Sequence, residues 1–267
     1  MRGLRVELSC MMCTFRVPYN TVYVDTYEFP PKTTAIGMLG AAAGWTEGTF
    51  LSNLRRIKYG VLMKTPGELN QEVAVYYKPF DREGAQFCLP SPTTRKRKER
   101  GKEGGDEEKN KPPKYQRMTR CPVTRYLLKD PKWVLYFASE DTSLIEQLYT
   151  ALNDPKHVLS VGESENLFYP ERPEFAFTMD ISAVDSNEVA TIVPEKIVGE
   201  TLRIAGEIRR GTTIIPPKVV QAPIDFNGQG ASRRAIYDRL VVFAGFRIAL
   251  DMEARQYSFN GENAYLF

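Results

Sequence analysis

Lys32-Thr33-Thr34 follows two prolines and opens a run, Ala35 to Gly44, that holds no charged or strongly polar residue. A cation, two hydroxyls and the free N–H groups of a helix start make a place for a phosphate. The same residues also make an ordinary helix start with a solvated lysine. His157 is the only histidine, and Lys156 precedes it. An imidazole and an ammonium can supply the base and the cation of metal-independent RNA cleavage, with a loop tyrosine such as Tyr23 as a third member. A histidine just after the helix-ending Asp154-Pro155 can equally be a plain surface residue. Two stretches pair guanidiniums with glycines, Arg209-Arg210-Gly211 and Gly228 to Arg234, the second ending in Arg233-Arg234. Glycines let a backbone come close to RNA, and arginines bind phosphate with two parallel hydrogen bonds. A Gly-Arg turn on any surface has the same composition.

Other groups complete the inventory. Residues 14–28 carry Arg16 and three tyrosines, Tyr19, Tyr23 and Tyr27. These rings could stack bases or cover the core. Between Thr94 and Arg117 ten basic and five acidic residues give a local charge of +5, leaving −2 on the rest of the chain. Only Arg95-Lys96-Arg97-Lys98 is an unbroken cationic run; it could track a phosphate backbone or sit solvated in a disordered tip. Cys10-x-x-Cys13 suggests zinc or redox chemistry. The two cysteines are three apart on a strand, so their thiols point to opposite faces and zinc is not expected. Cys88 and Cys121 are single cysteines rather than a second such pair. Glu163 and Glu165 have no Asp or His partners at ligand spacing. There is no P-loop, no Ser/His/Asp series and no dinucleotide fingerprint, so no cofactor or metal is expected.

The elements that must position these groups follow from periodicity. Leu4, Val6, Leu8, Cys10 and Met12 alternate with polar partners, a strand with one face in a core. Pro30-Pro31 makes a rigid lead-in to a helix beginning near Thr33. That helix is apolar all round, so it is buried all round. Gly37 and Gly40 lower its propensity and point to close backbone packing, most simply against a sheet. Arg56–Lys64 and Glu72–Phe80 alternate as further strands. Residues 90–117 are dominated by Pro, Gly and charge and read as a surface loop or hairpin tip. Thr124–Ser139 is strand-like. Asp141–Asn153 is a helix on the spacing of Leu144, Leu148 and Leu152, with Ser143 and Glu146 as a capping box. Glu174–Ser182 is another strand. The order is strand, helix, strand, long hairpin, helix, strand, the split βαβ arrangement of ferredoxin-like α+β folds. Residues 190–267 give short strands near 197–208, 212–215, 219–224, 240–249 and 254–259. The expected division is therefore 1–185, with a flexible insertion at about 90–117, and a smaller β-rich part, 186–267.

With 42% hydrophobic residues over 267 positions, the chain can build a real core. It has no apolar run of about 18 residues, so no membrane span is expected. Met1-Arg2-Gly3 leads straight into strand alternation rather than a signal peptide. Four cysteines are too few for a disulfide scaffold and suit a reducing cytoplasm.

Two of these stretches carry a family likeness. Tyr27-Glu28-Phe29-Pro30-Pro31-Lys32-Thr33-Thr34 followed by Gly37-Met38-Leu39-Gly40-Ala41 resembles the N-terminal signature of the CRISPR-associated Cas-five family, part of the RAMP superfamily. Val161-Gly162-Glu163-Ser164-Glu165 resembles its second landmark, a Leu-Gly-x-Ser-Glu step, in matching order and separation. The likeness covers about residues 4–45 and 158–168 and is compatible with the remainder. It implies a ferredoxin-like, RRM-type N-terminal domain with a long β-hairpin thumb, here about 73 to 137, and a small β-rich C-terminal part. It implies a non-catalytic subunit of a type I surveillance complex, Cascade, that caps the 5′ handle of CRISPR RNA. The implied partners are that RNA, the Cas-seven backbone subunit and the large subunit. The expected RNA-binding set is Arg16, Tyr23, Lys32, Thr33, Thr34, Arg95, Lys96, Arg97, Lys98, Arg209, Arg210, Arg233 and Arg234. One branch of the family is an endoribonuclease using a tyrosine, a lysine and a histidine, the histidine on or near the second helix and well upstream of the second landmark. Here Lys156-His157 abuts that landmark, so handle binding is the leading expectation. Cleavage by His157, Lys156 and Tyr23 is the alternative.

Overall fold

The computed structural model describes residues 1–18, 20, 23–79, 118–164, 166–168, 170, 174–199, 202–206, 208 and 212–267. Arg95 to Lys98, Arg209, Arg210, Tyr19, Cys88 and Glu165 lie outside them.

Four strands form the central sheet: β1 (Arg2–Ser9), β3 (Lys58–Thr65), β6 (Lys132–Ser139) and β7 (Ala176–Asp180). Their order is β3-β6-β1-β7 and every pair is antiparallel. The alternation read in β1 sends Leu4, Val6 and Leu8 to one face, where they are at most 2% exposed. Helices α1 (Lys32–Ala43) and α3 (Thr142–Asn153) pack on that face and on each other. Ile36 and Leu39 of α1, with Leu144, Leu148 and Leu152 of α3, close this core over Tyr59, Trp133 and Phe137. The leucine spacing of α3 is thus explained. Its cap is not the expected box. Asp141 is the N-cap, accepting from the Leu144 N–H and the Ser143 hydroxyl. Glu146 reaches across to Arg2 of β1 at 2.6 Å.

The Thr124–Ser139 stretch is two strands rather than one. β5 (Met118–Lys129) ends at Asp130, whose positive φ of 52° turns the chain into β6. A short strand, β2 (Met12–Cys13), pairs with β5 through Met12–Lys129 and Cys13–Leu128. The helix that sequence periodicity missed, α2 (Glu47–Arg56), follows α1 directly. Thr46 caps it, its hydroxyl accepting from the Thr49 N–H.

The other face of the sheet is covered by the chain's C-terminal strands. These are β8 (Ser182–Val189), β13 (Arg247–Phe259) and β14 (Glu262–Ala264), which pair antiparallel. Phe259 and Leu266 pack against Val134, Tyr136 and Ala138. Gly60 of β3 lets them in: a Cβ there would stand 2.5 Å from the Tyr265 carbonyl oxygen. Arg5 and the Tyr136 hydroxyl both reach the Glu262 carboxylate at 2.8 Å. β10 (Arg203–Ala205) pairs with β13; β11 (Ile215–Asn227) and β12 (Arg234–Ala244) form a hairpin, with β9 (Val193–Pro194) against β12. The strand expected at 219–224 is the middle of β11, whereas the one expected at 240–249 is the end of β12 and the start of β13, broken by a turn at Gly245, whose φ is 89°.

Residues Met1–Gln71 and Tyr126–Phe267 form one compact unit, and Glu72–Arg125 a second. In the second, β4 (Glu68–Pro79) pairs with β5, and Arg125 ion-pairs with Glu72. No helix among the described residues is long and apolar enough to cross a membrane.

Candidate functional site

The chain reaches α1 through a lead-in that the sheet holds by two aromatic side chains. The Trp133 indole donates to the Glu28 carbonyl at 3.0 Å, and the buried Tyr59 hydroxyl donates to the Pro30 carbonyl at 2.7 Å. Pro31 is the N-cap with φ −59°, and it offers no side-chain cap. Its carbonyl accepts from the N–H groups of Thr34 and Ala35 at 2.9 Å. Tyr59→Phe should therefore destabilise the fold by about 1–3 kcal/mol, because the Pro30 carbonyl stays buried without a donor. Urea unfolding of the two proteins measures this directly, and equal midpoints would show that the hydroxyl anchors nothing.

The expected phosphate cradle is reorganised by burial. Lys32 does not project into solvent: its ammonium donates to the Phe267 backbone carbonyl at 2.9 Å and lies 6.0 Å from that ring's centroid. Burial pushes its pKa down to about 8, with the Asp225 carboxylate opposing. Thr33 is buried and Thr34 half-buried.

Both threonines line an open groove of about 500 Å³. Its floor is the small-residue stripe of α1, Gly37, Gly40 and Ala41. Those glycines face Trp45 and Phe50 rather than a sheet; a Cβ on Gly40 would stand 3.0 Å from the Trp45 ring. One wall is Thr46, Glu47 and Phe50 of α2 and its cap. Phe226 and Arg233 also line the groove, in contact with Phe50 and Glu47 of α2. The Arg233 guanidinium lies 4.7 Å over the Phe226 ring and 3.2 Å from Glu47. Glu47 also accepts from the Gly230 N–H at 3.1 Å. Arg55 holds Asp225 at 3.1 Å and the Phe226 carbonyl at 2.9 Å, so α2 fixes the whole 225–233 turn. His157 completes the lining.

His157 and Lys156 reach different cavities. The Lys156 N–H donates to the Ala42 carbonyl at 2.9 Å, tying this segment to the end of α1. Gly44, at φ +68°, leaves the space that the Lys156 chain fills; a Cβ would stand 2.5 Å from its Cδ. Lys156 thus lines a separate cavity of about 720 Å³ with α3, and Trp45 and Thr46 divide it from the groove. Tyr23 lines neither: it is exposed and packs edge-on against Tyr126 at 5.3 Å. Tyr27 is 3% exposed, a core residue rather than a stacking surface. Arg16 and Arg234 are exposed outside the groove lining. The structure therefore gathers Thr33, Thr34, His157 and Arg233 into one place, and it adds Trp45, Glu47, Phe50 and Phe226, which the sequence reading left out. The missed signal was Thr46-Glu47 ahead of Phe50, Leu51 and Leu54, a capped amphipathic turn. No group of three or more metal-ligating residues occurs among the described residues.

The sequence pattern of the CRISPR-associated protein (Cas_Cas5) family matches residues 3–205. A chain of a solved CRISPR RNA-guided surveillance complex is similar in fold at a TM-score of 0.54 and 16% identity, over 93% of this chain and 91% of that one. A CRISPR protein from Archaeoglobus fulgidus aligns over 99% of this chain and 98% of its own at 11% identity and a TM-score of 0.43. No curated protein matches the chain.

Proposed function

Because the chain belongs to the CRISPR-associated (Cas_Cas5) protein family, we propose that it is a non-catalytic subunit of a type I CRISPR surveillance complex and caps the 5′ handle of the CRISPR RNA. The observation that carries this reading is the groove, where hydroxyls, an arginine stacked on phenylalanine and two further aromatic rings converge on one opening. Such a surface stacks unpaired bases and holds the phosphates between them. The strand order β3-β6-β1-β7 with α1 and α3 on one face supports a ferredoxin-like, RRM-type domain, with a β-rich part from about residue 186; the thumb expected at about 73 to 137 ends by Lys129, because β6 belongs to the central sheet. An RRM usually reads RNA on its open sheet face. Here that face is filled by Phe259, Tyr257 and Leu266, so the groove takes its place. The proposed partners are the CRISPR RNA, the Cas-seven backbone subunit and the large subunit, in the cytoplasm.

The test is the affinity for repeat-derived handle RNA against scrambled RNA, alone and in the assembled complex. Phe226→Ala should lower handle affinity about tenfold through lost stacking. Arg233→Ala should do so while reducing the salt slope by about 1. Equal binding of handle and scrambled RNA in both settings would sink the reading.

A second reading is a metal-independent endoribonuclease, favoured by an imidazole, His157, in the same groove. Lys156 and Tyr23 lie elsewhere, which counts against it. Incubation of precursor repeat RNA with the protein in EDTA separates the two. A discrete cut lost in His157→Ala supports cleavage, and intact RNA removes it.

A further inference from the structure

Among the described residues Glu47 is the one acid that lines the groove. A carboxylate repels phosphate, so an acid beside RNA calls for a reason. Half of Glu47 has a structural duty. Its Oε1 accepts from the Gly230 N–H at 3.1 Å and from Nη1 of Arg233 at 3.2 Å. Two donors fill the two lone pairs of that oxygen. The Gly228–Arg234 loop thus spends the Gly230 N–H on a carboxylate rather than on a phosphate. The other oxygen, Oε2, makes no hydrogen bond or ion pair with any described residue. The side chain is 41% exposed, so a ligand in the groove can reach it.

The acid and the hydroxyls stand at different ends. α2 turns back along α1: Trp45 lies against Gly40, and Phe50 reaches both Gly40 and Gly37. Glu47, two residues after Trp45, therefore sits by the last turn of α1, whereas Thr33 and Thr34 sit in its first. Thr33 and Ala41 are separated by about 12 Å along the helix. A phosphate held by the threonines is clear of the carboxylate. Flat groups gather at the acid's end, the Trp45 ring and the Arg233 guanidinium over Phe226. Unpaired bases stack on both kinds of surface.

A base stacked there meets Oε2 with its edge. An ionised carboxylate only accepts, so that edge must donate. Cytosine, adenine and guanine carry an exocyclic amine. Uracil carries a carbonyl on each side of its single ring N–H, and those oxygens would crowd the carboxylate. We propose that Glu47 is a specificity-determining residue of the groove, which through Oε2 selects a base with an exocyclic amine and rejects uracil. This rests on the reading of the groove as an RNA site. Arg233 and Phe226 supply stacking that every base shares; Glu47 supplies the choice between bases.

The test measures binding of oligocytidylate and oligouridylate of equal length to the intact protein at fixed salt. The two bases also differ in stacking, which owes nothing to Glu47. The deciding quantity is therefore the change in the C-to-U affinity ratio between the parent and Glu47→Gln. The ratio should fall about tenfold, the effect of one hydrogen bond to a charged group. A glutamine amide both donates and accepts, so it suits either base and still offers an oxygen to Gly230. Phe226→Ala should weaken both oligomers and leave the ratio unchanged. A measurement on the parent alone decides the matter should Glu47→Gln not fold. An oligomer with pyrimidin-2-one in place of cytosine, hydrogen replacing the amine, should bind about tenfold more weakly than oligocytidylate. Equal C-to-U ratios in parent and Glu47→Gln, or undiminished binding of the pyrimidin-2-one oligomer, would overturn the proposal. Handle RNA preferred over scrambled RNA with an unchanged C-to-U ratio would overturn the role of Glu47 alone. A ratio that depends on Glu47 without any handle preference would support that role and remove the handle.

Discussion

Gly162→Ala should cost the fold about 3 kcal/mol or more, a large effect for a single methyl group. Two penalties add. Gly162 sits at φ +89°, where an L side chain is strained by about 1–3 kcal/mol. Its Cβ would also fall 1.9 Å from the Thr14 carbonyl oxygen and 2.8 Å from the carbonyl carbon. Both are backbone atoms, so no rotamer change relieves the overlap. Thr14 cannot retreat cheaply: it is 0% exposed, and its hydroxyl donates to the Tyr126 carbonyl at 3.1 Å. Gly162 is held from its own side, since Val161 and Asn166 are joined by a 2.7 Å backbone hydrogen bond and Ser160 bridges to Leu167. Denaturant unfolding gives the number. A variant within about 0.5 kcal/mol of the parent, the range of ordinary surface changes, would show that the Thr14–Gly162 bridge is dispensable.

This glycine also shows where sequence reading stops. The Gly-x-Ser-Glu step was visible as a landmark, but its reason was not. The reason is a backbone atom 148 positions earlier, and no periodicity connects residues 14 and 162. The groove has the same character. Thr33, Thr34, His157 and Arg233 were each legible as candidates from residue type, because helix starts, lone imidazoles and Gly-Arg turns carry local signals. That they meet depends on α2, whose ten residues join α1 to the 225–233 turn through Glu47 and Arg55. Missing α2 meant missing Phe50 and the role of Phe226.

The fold was more legible because its pattern is local. Leu4, Val6 and Leu8 announced β1, the leucines of α3 announced its buried face, and the all-apolar stretch after Thr34 announced a helix, although that helix is not buried all round: Gly37, Gly40 and Ala41 line the groove. Longer-range facts were closed to inspection. The covering of the second sheet face by β13 and β14 rests on Phe259 meeting Tyr136, and neither residue signals the other. The expectation of Cys10 and Cys13 on opposite faces failed for a related reason, since Cys10 packs against the core that holds Cys13. A period-two pattern ran on through Met12, while the bend at Met11 is held by the Asp130 N–H from the turn between β5 and β6.

Lys32 carries the second large prediction, a rise in stability with pH. An unfolded lysine titrates near 10.4, and burial lowers the folded value to about 8. Below pH 8 both states hold the proton, and the folded state bears the full cost of a buried charge. Between about 8 and 10.4 the unfolded state binds more protons, so stability rises with pH. At 1.36 kcal/mol per unit, the full gain is about 3 kcal/mol. The window for a net rise closes near pH 9, because the Cys13 thiol is held above its ordinary range and an unfolded cysteine, titrating near 8.5, ionises first. Burial holds the Tyr59 and Tyr136 hydroxyls well above their ordinary range, so unfolded tyrosines ionise first and stability turns down again. Urea unfolding should therefore show a climb from about pH 8 that levels off near 9, where the Lys32 and Cys13 contributions oppose each other. Lys32→Met should flatten the climb and be more stable than the parent at pH 7, since the Phe267 oxygen still accepts from the Tyr59 N–H at 3.0 Å. A parent profile as flat as that of the variant would mean that the ammonium is solvated after all. The same proton bears on function. A phosphate at the start of α1 would raise the Lys32 pKa and draw a proton onto it. Handle affinity would then fall as pH climbs through 8 in the parent but not in Lys32→Met. Identical pH profiles for the two would assign Lys32 to the fold and leave the RNA to Thr33, Thr34 and Arg233.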